Sequence, residues 1–122
     1  MKKSIILICF AIIMTYGKAD PTHPYTGNEK IEIQGKLDIN AGPDDLEVYI
    51  DDQAVYVYFN QDFGSVNVSL YGDMSGLIYS TVVNTSMQHL LVIPITSSSN
   101  NNYTIVFSNT FGYAEGEFDR EP

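Results

Sequence analysis

The sequence VNVSLYGDMSGLIYSTVV, residues 66–83, has the clearest structural pattern in the chain. In its first half Val66, Val68 and Leu70 alternate with polar residues and a tyrosine. A period of two is typical of a strand with one face in the core and the other in solvent. The turn residues GDMSG follow, and after them comes a β-branched and aromatic run. Residues 66–83 therefore predict two strands joined by a reversal of the chain.

Similar short runs, separated by turn residues, occur on both sides of this stretch. We predict further strands at residues 29–37, 46–50, 54–59, 89–95, 103–107 and 112–118. Seven or eight strands in about a hundred residues indicate an all-β fold, an antiparallel β-sandwich of immunoglobulin or fibronectin type. A small barrel is the alternative. The pattern leaves open the strand order, and also whether residues 46–59 form one bulged strand or two.

Tyr103 is placed where such sandwiches often carry a special tyrosine. It follows a polar loop and opens the next-to-last predicted strand. In immunoglobulin-like folds a tyrosine at this place ties the corner to backbone a few residues upstream through its hydroxyl. The alternative is an ordinary core tyrosine.

The amino-terminal residues have the form of a secretory signal. Lys2 and Lys3 precede an apolar run, and the segment from Gly17 to Ala19 has small residues where signal peptidase cleaves. The apolar run is about half the roughly 20 residues that span a bilayer, so we do not expect a retained anchor. We predict a signal peptide at 1–19, a flexible lead at 20–28 and one β-sandwich domain at 29–119. The product is then secreted or periplasmic, without stable membrane insertion.

Cleavage after Ala19 leaves a strongly acidic chain without cysteine. Three of the six basic residues lie within 1–19 and none of the 15 acidic residues does, so the formal net charge changes from −9 to −12. Nucleic acid requires clustered Lys and Arg, so we exclude it as a partner. Cys9 leaves with the signal, and the remaining chain contains neither a disulfide nor a thiol nucleophile.

No residue set has the spacing that catalysis requires. The chain has two histidines, of which His23 lies in the predicted lead and His89 at the start of a predicted strand. It has no Gly-x-Ser-x-Gly motif. We therefore predict a protein that is not an enzyme and that holds no cofactor.

The acidic turn residues around the strand at 46–50 suggest calcium as an alternative. Carboxylate oxygens on loops are the ligands that this ion prefers. The candidates are Asp44, Asp45, Asp51 and Asp52. No Asp-x-Asp-x-Asp-Gly loop accompanies them.

The outward tyrosines are the predicted binding residues. In the run at 54–59 the aliphatic side chains point to one face and the tyrosines to the other. Tyrosine offers a flat apolar ring with a polar tip, which suits protein partners and sugar rings. We predict an interaction module for an unknown protein, with a carbohydrate-binding domain as the alternative, using Tyr49, Tyr56, Tyr58 and Tyr71. The competing interpretation is that these tyrosines pack against cross-strand neighbours.

Three segments resemble a known family. They are VNVSLYGDMSGLIY at 66–79, NYTIVF at 102–107 and GYAEGEF at 112–118. Together they resemble a Bacteroidetes family of small secreted immunoglobulin-like proteins classed as a domain of unknown function. The resemblance covers roughly residues 29–119, and the same succession of strand, Asp, Gly and strand is similar to carboxy-terminal sorting domains of that phylum. It implies a fold and an exported location, and no catalytic residues.

Overall fold

The computed structural model describes residues 29–95 and 100–119. Within these ranges the chain forms nine strands and no helix, and so no helix capable of spanning a membrane. The strands are β1 (Glu29–Ile31), β2 (Ile33–Lys36), β3 (Leu46–Ile50), β4 (Ala54–Phe59), β5 (Ser65–Gly72), β6 (Gly76–Asn84), β7 (Leu90–Pro94), β8 (Asn102–Ser108) and β9 (Tyr113–Asp119). The predicted signal peptide at 1–19 and lead at 20–28 lie outside the described residues.

The strands are arranged in two antiparallel sheets. One sheet has the order β1-β3-β4-β7 and the other β2-β9-β8-β5-β6. One set of alternate apolar residues in most strands points between the sheets and forms the core. The prediction of an antiparallel sandwich is confirmed, and the barrel alternative does not apply. The predicted hairpin of the last two strands is β8 paired with β9.

The predicted first strand at 29–37 is two strands that lie in different sheets. Ile31 in β1 is opposite Val48 of β3, whereas Ile33 in β2 is opposite Gly116 of β9. The chain therefore changes sheets at Glu32. Its apolar residues reach the core from both sheets, and period-two spacing alone does not reveal a strand that switches sheets at a corner. This division raises the strand number from the predicted seven or eight to nine.

Glycine permits the close approach of β2 to β9. Gly35 has φ of +91°, and a Cβ on it would lie 2.4 Å from the Tyr113 carbonyl oxygen. A side chain at this position would be strained and would also collide with the neighbouring backbone. The edge of the five-stranded sheet therefore depends on this glycine.

Residues 46–59 are two strands joined by a tight turn. The Asp51 carboxylate accepts hydrogen bonds from the backbone N–H groups of Gln53 and Ala54, at 2.8 and 2.9 Å. The Asp51 N–H donates to the Ala54 carbonyl at 3.1 Å. A side chain that bonds to backbone just ahead of it favours a turn over a continued strand. This resolves the question that the sequence left open.

Aromatic side chains connect the two sheets across the core. The rings of Phe59 in β4 and Phe107 in β8 are fully buried and meet edge to face at 6.3 Å between centroids. Tyr103 is also buried and stacks on Phe118 of the neighbouring strand β9. Tyr103 is thus a core residue, and the loop that would hold the partner of its hydroxyl includes residues 96–99, outside the described part of the chain.

Thr85, directly after β6, anchors the loop between β4 and β5 through a buried hydroxyl. Its side chain is fully buried, and Oγ1 donates to the Gly64 carbonyl at 2.7 Å. The same oxygen accepts a bond from the Phe63 N–H, also at 2.7 Å. Since buried polar groups require hydrogen-bond partners, this hydroxyl provides them for the Phe63 N–H and the Gly64 carbonyl in the loop between β4 and β5.

We expect Thr85→Val to lower the free energy of unfolding by about 1–3 kcal/mol, because it leaves the buried Phe63 N–H without its acceptor. Urea unfolding monitored by circular dichroism measures the change. Thr104→Val, at a half-buried position on β8, is the matched control and should change stability by less than about 0.5 kcal/mol. Equal effects of the two substitutions would contradict the role assigned to the Thr85 hydroxyl.

Candidate functional site

The four edge strands differ in how open they are to pairing with a further strand. The edges β1 and β2 are only three and four residues long and carry Lys30 and Lys36. The edge β7 has five residues and ends at Pro94. Short length, charge and proline are the features that block edge pairing. In contrast β6 has nine residues, GLIYSTVVN, with neither charge nor proline.

An exposed apolar surface surrounds this open edge. Within the described residues β6 pairs only with β5. Ten large hydrophobic side chains are exposed in the described part of the chain. Five of them lie on β6, at the end of β5 or in the turn between these strands, and each is between 41% and 72% exposed. We call them the β6 surface: Tyr71, Met74, Leu77, Ile78 and Val82. Tyr71 is opposite Leu77, and the pair of Ser69 with Ser80 separates them from Val82. A concentration of exposed apolar side chains along one edge marks a candidate interaction site.

A β-bulge divides β6 into an irregular and a regular part. Leu70 of β5 is opposite Tyr79, but its neighbour Tyr71 is opposite Leu77, which leaves Ile78 as the extra residue. From Tyr79 to Asn84 the ladder with β5 is regular. The regular part is therefore the segment whose outer edge has ordinary strand geometry.

A distant asparagine fixes the turn between β5 and β6. The buried Asn100 side chain accepts hydrogen bonds from the N–H groups of Met74 and Ser75, at 2.7 and 2.9 Å. Its amide also donates to the Ser75 hydroxyl at 2.9 Å. A Cβ on Gly72 would lie 2.4 Å from the Asn100 side chain, so glycine provides the space for it. The position of Met74 in the β6 surface thus depends on a residue outside the hairpin.

The β6 surface is uncharged on an acidic protein. The sequence contains no Asp, Glu, Lys or Arg between Asp73 and Glu115, a range that includes all of β6, β7 and β8. The outward acids Glu115 and Glu117 are on β9, three strands from β6. Three strand spacings are about 14 Å. This exceeds the Debye length of about 8 Å at physiological ionic strength, so these acids act weakly at the β6 edge.

The structure divides the four predicted binding tyrosines between the two sheets. Tyr49, Tyr56 and Tyr58 are on the outer face of the sheet that contains β3 and β4, whereas Tyr71 is on the other sheet. They therefore do not form one surface. The expectation that Tyr58 is exposed is wrong, since it is only 4% exposed and its ring packs edge-on against Tyr49 at 5.7 Å. The Tyr56 hydroxyl donates to Asp51 at 2.8 Å. Binding by these tyrosines stays a prediction.

The acids predicted as an alternative calcium site are at opposite ends of a strand. Asp44 and Asp45 precede β3, and Asp51 and Asp52 follow it. Six residue steps along a strand are about 20 Å, whereas ligand oxygens lie about 2.3–2.6 Å from one calcium ion. Residues 29–95 and 100–119 contain no group of three His, Cys, Asp or Glu placed to hold a metal. The four acids therefore cannot share one ion.

Glu47 is the centre of a polar network that the sequence did not reveal. Its buried carboxylate accepts hydrogen bonds from Lys30 Nζ at 3.0 Å and from Asn60 Nδ2 at 2.9 Å. The hydrogen bond that Lys30 donates to Glu47 raises the pKa of Lys30 above its ordinary value, against the opposing effect of partial burial. Lys30 is in β1 and Glu47 in β3, so the pair holds an edge strand against its neighbour.

His89 lies where β4 and β7 meet. Its backbone carbonyl accepts a hydrogen bond from the Phe59 N–H at 2.9 Å, and its Nδ1 is 3.3 Å from the Phe59 carbonyl oxygen. The residue thus extends the ladder of these strands beyond the start of β7. These contacts give it a structural role.

Two antiparallel sheets with this strand order define an immunoglobulin-like β-sandwich. The model of the family described as Domain of unknown function (DUF3244) matches residues 30–120, and the chain belongs to this family. The resemblance seen in the sequence is thereby confirmed. A similar solved structure is that of a DUF3244 family protein with an immunoglobulin-like β-sandwich fold from Bacteroides vulgatus ATCC 8482. It is 16% identical, with a TM-score of 0.65 over 76% of this chain and 98% of that chain. At this identity the likeness shows the fold alone. No curated protein matches the sequence.

We expect Glu47→Ala to lower the free energy of unfolding by about 1–3 kcal/mol, because Lys30 and Asn60 lose a charged acceptor. Glu117→Ala, on the exposed face of β9, is the control and should change it by less than about 0.5 kcal/mol. Chemical denaturation of the three proteins under identical conditions measures the difference. A neutral Glu47→Ala would show that the network adds nothing to stability.

The Lys30 ion pair also gives an expected pH dependence. Because the pKa of Lys30 is raised in the folded state, its stabilising contribution is complete below the unfolded value of 10.5 and is lost as the pH rises through the folded value. Wild type should therefore exceed Lys30→Met in free energy of unfolding at about pH 8, and the excess should shrink by about pH 12. Lys36→Met controls for the loss of one positive charge. An excess that does not change with pH would contradict the assignment.

Proposed function

We propose that this domain is a non-enzymatic interaction module, acting in the periplasm or at the cell exterior, that binds a protein through the β6 surface. The observation that carries the proposal is the coincidence of the longest uncharged edge strand with half of the exposed large hydrophobic side chains of the described chain. Export is supported by the signal-like residues 1–19.

The properties of β6 match a known mode of protein recognition. An extended segment of a partner can add to an open sheet edge, where backbone hydrogen bonds supply affinity and neighbouring side chains supply specificity. Natural sheets usually block such edges. The edges β1, β2 and β7 are short and carry Lys or Pro, whereas β6 is long and its only protective feature is the bulge at Ile78. The regular part of β6, from Tyr79 to Asn84, is therefore the most open edge among the described strands.

The tyrosines contribute less to this proposal than the sequence suggested. Tyr71 belongs to the β6 surface, while Tyr49, Tyr56 and Tyr58 are on the opposite sheet. The four tyrosines therefore do not form one surface, although Tyr49 and Tyr56 are opposite each other on β3 and β4. Carbohydrate binding stays a prediction.

Replacement of Val82 by lysine tests the proposal. Val82 is exposed on β6, and an ammonium group there would lose hydration when a partner covers the edge. In pull-downs from the native host, we expect a partner protein retained by wild type to bind Val82→Lys at least about tenfold more weakly.

Val92→Lys is the matched control, because Val92 is an exposed valine on the edge strand β7 of the other sheet. It should retain the partner at the wild-type level, and thermal unfolding should confirm that both variants fold. Equal retention by Val82→Lys would refute the proposal. So would a partner that is lost only in the double variant Tyr49→Ala with Tyr56→Ala.

A further inference from the structure

We infer that the β6 edge pairs antiparallel with the β6 edge of a second copy of this chain, which joins the two five-stranded sheets into one sheet of ten strands. The inference rests on the proposed function, since it uses the same surface, and it names the partner. The dimer has two-fold symmetry, so the same residues contribute from both copies.

The charge distribution favours a second copy as the occupant. The chain has a formal net charge of −9, so two copies repel each other over most of their surfaces. The β6 edge lies outside this repulsive surface because the range from Met74 to Ala114 carries no formal charge, and the other edge within that range, β7, is shorter and ends at Pro94. A basic partner would instead be attracted to the acids of β9 and the turns around β3. Two acidic copies repel each other least where both surfaces are uncharged, and the β6 edge is such a surface.

The regular part of β6 is self-complementary about Thr81. With the two-fold axis at this residue, Tyr79 is opposite Val83 of the second copy, and Thr81 is opposite Thr81 of the second copy. Aromatic with β-branched and Thr with Thr are stabilising cross-strand pairs. Residues of the same face meet, which antiparallel pairing requires. This register also keeps the bulge at Ile78 outside the central pairs.

The same geometry stops the assembly at two copies. Pairing through β6 uses the open edge of each five-stranded sheet, and the far edge of the joined sheet is then β2 in both copies. That strand has four residues and contains Gly35 and Lys36. Such an edge does not accept a further strand readily. A single pair of strand edges is also smaller than a standard stable interface, so we expect a dimer that dissociates on dilution.

Sedimentation equilibrium of the full-length chain from about 1 μM to 1 mM tests the inference, since this range brackets a moderate affinity. The apparent mass of wild type and of Val92→Lys should rise toward twice the monomer value. Val82→Lys should remain monomeric because two lysines would meet near the axis. A wild type that stays monomeric throughout, or a Val82→Lys protein that dimerises equally, overturns the inference.

Cysteine cross-linking tests the register, in a Cys9→Ser chain so that the introduced thiol is the only one. In Thr81→Cys the two Cα atoms lie about 5 Å apart, within the range for a disulfide, and we expect a cross-linked dimer on oxidation. Asn84→Cys is the control on the same strand, where symmetry separates the two copies of the residue by about 20 Å. Cross-linking at Asn84 equal to that at Thr81 overturns the proposed pairing.

The outcomes separate this inference from the proposed function. If the chain is monomeric at every concentration but Val82→Lys loses a retained protein, the partner is a different chain, so the inference fails and the proposed function stands. If wild type dimerises and no other protein depends on Val82, the inference stands and binding of a different protein at this surface fails.

Discussion

Apolar contact between the inner faces of the two sheets is the constraint on which the rest of the structure depends. Phe59 and Phe107 meet from opposite sheets, and around them most strands contribute alternate side chains to the core, whereas β6 contributes only Val83 as a buried residue. Because side chains alternate along a strand, burial of one set fixes which residues face outward. The outward positions of Glu115 and Glu117 on β9 and of Val82 on β6 follow from this alternation.

Most of the sandwich could be predicted because its signal is local. Alternation in β5 and the aliphatic face of β4 both identified strands that the structure contains. The change of sheets at Glu32 could not be read in this way, since Ile31 and Ile33 keep one continuous period of two. Which sheet each residue joins depends on the close approach of Gly35 in β2 to Ala114 in β9, a contact between residues about 80 positions apart.

The candidate site was harder to predict than the fold, for a related reason. Period-two patterns show which way a side chain points, but neighbours on the same face decide whether it is exposed. Tyr58 points outward and is nevertheless buried, whereas Val82 and Leu77 are exposed because β6 is at an edge. The sequence did contain one usable signal, the absence of formal charge between Asp73 and Glu115. Its meaning depends on the strand order, which the sequence alone did not provide.

The hydrogen bonds from Asn100 to the turn between β5 and β6 have a consequence for the order of folding. The hairpin of β5 and β6 is local, yet its tip is held by a residue about 25 positions further along the chain. Contacts of large sequence separation form late, because the intervening chain must first lose its conformational freedom. During synthesis the tip is therefore completed only after β7 has emerged and the segment leading into β8 has docked. A nascent chain therefore does not present the complete β6 surface until this late stage, which limits its contact with other nascent chains that are still unfolded.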